Sequence, residues 1–133
     1  MDVLTKNSTN PNQVFTLAEK TTIVNPYYLF EFQNDTTKVK YYQIFTDVSV
    51  VPLSERIWNI FNIEVIATGS GANKIILGNI GLYHYAIFEQ ASSSNLIPTG
   101  LNIVERGIMR LIDSEDSIYI QHEIVVTYVA HEQ

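Results

Sequence analysis

Three histidines, three carboxylates set among aromatics, and two serine- or glycine-rich stretches are the residues of this chain with chemistry to offer. A zinc or iron site needs three or four donors converging on one point. His84 and His122 have no donor two residues away on the same strand face, and His131 falls in the polar tail, so all three are expected as packed or surface side chains. Glu31, Glu64 and Glu89 each stand in an aromatic-rich run. Two such carboxyls would do glycosidic acid–base work if they faced each other across about 5–10 Å. Nothing in their spacing sets them so, and a solvated sheet face is the expectation. "GSG" at 69–71 lacks the following Lys-Ser or Lys-Thr that a phosphate loop needs. The serines at 92–94 lack the Gly-x-Ser-x-Gly elbow of a nucleophile. Cysteine is absent, which excludes disulfides, thiolate catalysis and Cys-based zinc sites. No catalytic, metal-binding or cofactor-binding residue is assigned.

The aromatic side chains are the other resource. Tyr27, Tyr42, Trp58, Tyr83 and Tyr85 have the flat faces on which sugar rings stack, but tyrosine suits half-buried strands and protein interfaces equally. A net charge of −6 argues against nucleic acid as a partner, because displacing counterions from phosphates takes a cationic surface. The charge is concentrated in residues 91–133, where Arg106 and Arg110 stand against Glu105, Asp113, Glu115, Asp116, Glu123 and Glu132. The apolar runs are too short to span a bilayer, so no membrane contact is expected. "MDVLTKNSTNPNQ" has no apolar segment that would direct export, and synthesis in the cytoplasm is expected.

Elements that hold these residues follow from alternation of period two, bounded by turn residues. Residues 1–13, with Asn7, Ser8, Thr9, Asn10, Pro11 and Asn12 nearly consecutive, read as a flexible N-terminal arm. Residues 14–133 read as one β-sandwich domain. Strands are predicted over 14–20, 27–34, 39–45, 57–67, 74–77, 81–90, 103–111 and 118–129, with turns at 34–38 and 113–117. The Asn-Asp turn between 27–34 and 39–45 makes a hairpin. Pro52 makes 47–56 a crossing or an edge. "PLSERIWNIF" at 52–61 offers Ser54 as a helix cap, but its β-branched continuation favours strand entry. Gly107 inside a strand signals a bulge or a close backbone approach. In 57–67, Phe61 and Ile63 are placed on the inward face. The fold class is all-β: a single antiparallel β-sandwich, jelly-roll or immunoglobulin-like, of seven to nine strands.

Several strings in order carry a resemblance. They are "NPYYLFEFQNDTTKVKYY" (25–42), "TDVS" (46–49), "WNIFNIEV" (58–65), "GLYHYAIFEQ" (81–90) and "IVERGIMRL" (103–111). Together they resemble small β-sandwich virion proteins of short-tailed bacteriophages, crAss-like phages included. Phe88 stands where that family's pattern has Tyr. The resemblance implies a structural part of the particle, a capsid auxiliary or decoration protein, a head-fibre base or a tail component. Its implied partners are other virion proteins in a multi-copy assembly, and it brings no catalytic residues and no cofactor.

"GLYHYAIFEQ" has bulk on both faces: Leu82, His84, Ala86 and Phe88 on one, Tyr83, Tyr85 and Ile87 on the other. One face belongs to the core. Tyr83, Tyr85 and Ile87 are taken as a candidate protein interface, together with Asn10, Pro11 and Asn12 of the arm. The alternative is that one chain covers both faces, with the 89–100 connection folded over the sheet. A host-glycan-binding module is the alternative function.

Overall fold

The computed structural model describes residues 3–49 and 58–113, and the regular structure of this part is all β. Eight strands form: β1 (Val3–Thr5), β2 (Ser8–Phe15), β3 (Tyr27–Asn34), β4 (Lys40–Phe45), β5 (Asn59–Ile66), β6 (Lys74–Ile76), β7 (Gly81–Gln90) and β8 (Asn102–Ile112). They build a five-stranded sheet in the order β1-β8-β7-β3-β4 and a three-stranded sheet in the order β2-β5-β6. The sandwich-like, all-β architecture is the expected one. It is not wholly antiparallel, because β1 pairs parallel with β8 and β6 parallel with β5. The strand expected over 118–129, the turn at 113–117 beyond Asp113, and the segment 50–57 with Pro52 and Ser54 lie outside the described residues.

The β3–β4 hairpin shows how local chemistry sets register. Asn34 Oδ1 accepts from the amides of Thr36 and Thr37, both at 2.9 Å, while Lys38 takes the left-handed backbone at φ 63°. Asparagine here replaces a backbone acceptor, which is why Asn favours such turns. Tyr28 then pairs with Phe45, Phe30 with Gln43 and Phe32 with Tyr41.

Between the sheets lies an aromatic core. Phe30 of β3 meets Phe15 of β2, Phe45 of β4 and Phe61 of β5 edge-on, at centroid distances of 5.5, 5.0 and 5.0 Å. Phe61 and Ile63 point inward as the alternation of β5 predicts, and both are fully buried.

Two expectations are overturned. The segment 1–13, expected as a flexible arm, is structured over its described residues 3–13: β1 pairs with residues 110–112 of β8, and β2 runs along β5. Leu4 is completely buried. The polar composition concealed this because asparagine does backbone work. Asn10 is buried, its Oδ1 accepts from Thr5 N at 2.8 Å, and its Nδ2 donates to the carbonyls of Thr5 and Ile63, both at 3.1 Å. A register shift between Asn10 and Gln13 takes up Pro11 and Asn12, which remain exposed. The strand expected over 14–20 accordingly ends at Phe15.

Tyr83, Tyr85 and Ile87 are also not an outward interface. They belong to the core cluster with Phe30, Phe32 and Phe61. The bulk on the other face of β7 has its own cover at one end: Ala86, Phe88 and Leu29 are buried beneath Tyr42, Ile44, Leu101 and Ile103. Leu101 belongs to the connection after β7, so one chain covers both faces there.

Candidate functional site

The carboxylates are separated by the fold. Glu31 lies on the outer face of the large sheet, since its neighbours Phe30 and Phe32 point inward. Glu64 lies on the outer face of the small sheet, 3.7 Å from Lys74 Nζ and accepting from Thr9 Oγ1 at 3.2 Å. Glu89 is buried at the end of β7, where it accepts from Thr22 N at 2.8 Å, from Thr22 Oγ1 and from Asn102 Nδ2 at 3.2 Å. It clamps the connection before β3 to the sheet. No two of the three face each other across a cleft. His84 is exposed with its Nε2 2.9 Å from Asp35 Oδ1, and His122 and His131 lie outside the described residues. Among the described residues no three His, Asp or Glu side chains converge as metal ligands.

Of the aromatics, Tyr83 and Tyr85 are core, which removes them as sugar-stacking platforms. Tyr27 and Trp58 are single exposed rings. Tyr42 donates to Glu31 Oε2 at 2.9 Å. Its burial, then the hydrogen bond to Glu31 and the charge of that carboxylate, push the hydroxyl up to about 12. Tyr41 and Tyr42 also line a cleft of about 240 Å³ with Ser70, Lys74 and Ile76, where the edges β4 and β6 approach.

The arrangement that stands out among the described residues is the exposed part of the large sheet's outer face. Pairing register sets it in three rows. Arg106, Ala86 and Glu31 form one, and Ile108, His84 and Gln33 form the next. Arg110 and Leu82 form the third, which Asp35 completes through its amide bond to the Leu82 carbonyl at 2.9 Å. Two cations thus flank β7 on the β8 side and two carboxylates on the β3 side. Neither Arg106 nor Arg110 has an ion-pair partner among the described residues. Leu82 and Ile108 are more than half exposed. The small Ala86 side chain leaves a depression of about 150 Å³ between Glu31, Gln33, His84 and Arg106.

Gly107 beside this depression confirms the close approach its position predicts. A Cβ there would lie 2.5 Å from Tyr85 Oη and 2.6 Å from Cζ, so the ring lies directly over the glycine.

The outward charges were not singled out from sequence. Their signal was present, as like-signed residues four apart, Glu31 with Asp35 and Arg106 with Arg110. Only strand order reveals that these two pairs flank one central strand.

No family model matches the chain, and no curated protein or solved structure does.

Proposed function

We propose that the protein is a non-enzymatic structural component of a bacteriophage particle, a capsid auxiliary or head-fibre-base subunit that works through contacts with other virion proteins. The observation that carries this is the ordered set of strings between residues 25 and 111 that resembles virion proteins of short-tailed phages. Its consistency with the fold supports it: these strings are strands of the sandwich and their edges, and the buried polar groups Asn10, Asn59 and Glu89 bind backbone or neighbouring side chains within the chain. Arginine and apolar side chains exposed on one sheet face are the composition of a contact surface.

Mass spectrometry of purified particles tests the proposal. The protein is expected at many copies per particle; its absence from purified particles overturns it. A tail component or a host-glycan-binding module is the alternative, and the tyrosine-lined cleft between β4 and β6 favours the glycan form of it. Protection against thermal unfolding by a host glycan, lost in Tyr41→Ala, is what that alternative requires.

A further inference from the structure

We propose that the outer face of the five-stranded sheet is a self-complementary interface, at which two copies of this chain pair about a two-fold axis running along β7. The inference goes beyond the particle reading and does not need it. A closed two-fold contact is isologous: if one residue meets a second across the interface, the second also meets the first. Rotation about an axis along β7 exchanges the β8 side of the face with the β3 side and preserves height along the strand. Arg106 then meets Glu31 of the partner subunit, and Arg110 meets Asp35 of the partner subunit, because each pair shares a row. Each contact occurs twice. The two-fold axis running across the strands is disfavoured, since it sets β8 against β8 and β3 against β3, arginine against arginine and carboxylate against carboxylate.

Several other side chains suit this arrangement, and His84, on the axis between Ala86 and Leu82, meets its own copy. Ala86, on the axis, is the small residue that lets the faces approach. Leu82, 51 % exposed in the single chain, meets its own copy, and Ile108, 57 % exposed, lies against the Gln33 stem. Tyr42 holds the Glu31 carboxylate in place through its 2.9 Å hydrogen bond. Leu101, standing over Phe88 and Leu29, bounds the contact at its other end. Three rows over three strands make a footprint of roughly 300 Å² at ordinary strand spacings. A standard complex buries about 800 Å² per partner. Pairing through this face alone is therefore weak and driven by charge, the kind of contact that repetition in an assembly makes effective.

Sedimentation equilibrium of the full chain, from micromolar to millimolar, tests it. The expected result is a monomer–dimer equilibrium at about 50 mM salt that weakens tenfold or more at about 0.5 M, as screening of close charges requires. Arg106→Glu and Glu31→Arg should each abolish dimerisation, because each places like charges together twice. Mixing the two variants should restore a heterodimer, since every cross-pair is then of opposite sign. Arg110→Glu, opposite the Asp35 carboxylate of the partner subunit, should weaken pairing in the same way and serves if Glu31→Arg disturbs folding. A wild-type chain that stays monomeric throughout, single variants that dimerise normally, or a mixture that stays monomeric would each overturn the proposal.

Discussion

Asp47 shows how much one carboxylate does in this molecule. Its Oδ1 accepts from Ser49 N at 2.9 Å, Ser49 Oγ at 2.6 Å and Ile60 N at 3.2 Å, and its Oδ2 accepts from Asn59 Nδ2 at 2.7 Å. Burial pushes its carboxyl up, but these hydrogen bonds outweigh burial and hold it below the ordinary 3.8. A depressed folded-state value means stability that is fully present above the unfolded value and lost as the pH falls through the folded one. Asp47→Asn should cost about 1–3 kcal/mol at neutral pH. It should also flatten the acid limb below the ordinary value, which melting curves between neutral pH and strong acid would show. Gly107→Ala is the second case at this scale. The added methyl meets the buried Tyr85 ring, so about 1–3 kcal/mol is expected. In a Tyr85→Leu background the same change should cost clearly less, and a double-mutant cycle measures the difference. Gly107 was legible in the sequence because a glycine inside a strand is anomalous. Asp47 was not, because Asn59 and Ile60 reach it only when 46–49 lies along β5, with Val48 N donating to Ile60 O at 2.8 Å.

At the scale of elements, the first two strands matter most. Residues 3–15 supply an edge strand to each sheet, and the crossing between them is tied by Asn10. Deleting residues 1–13 should therefore abolish cooperative thermal unfolding, the opposite of what a mobile arm would do. Circular dichroism of the truncated chain measures it, and a melting temperature equal to the full chain's would show that β1 and β2 are dispensable. Period-two patterning located β3, β4, β5, β7 and β8 within a residue or two, because their apolar residues alternate strongly. It could not find β1 and most of β2, whose only fully buried apolar residue before Phe15 is Leu4. It separated the two faces of β7 correctly but not which one turns inward. That choice belongs to β3, whose Phe30 and Phe32 pair with Ile87 and Tyr85 and fix the inner side.

At the scale of the whole molecule, one aromatic cluster joins the sheets. Phe15 and Phe61 reach from the small sheet to Tyr28, Phe30 and Tyr85 of the large one. Phe61→Ala should cost about 3–5 kcal/mol, a large share of a small domain's stability. Calorimetry should show one transition at a lower temperature. Two separate transitions would mean that the sheets unfold independently.

The parallel pairing of β1 with β8 also has a consequence in time. A ribosome makes Val3 long before its partner Arg110. Contacts between such distant stretches give a high contact order and slow folding, because the intervening loop must close before the contact repays it. Until β8 emerges, β1 has no strand to pair with in its sheet, and it waits on β8. The large sheet therefore gains its β1 edge only after β8 has been made.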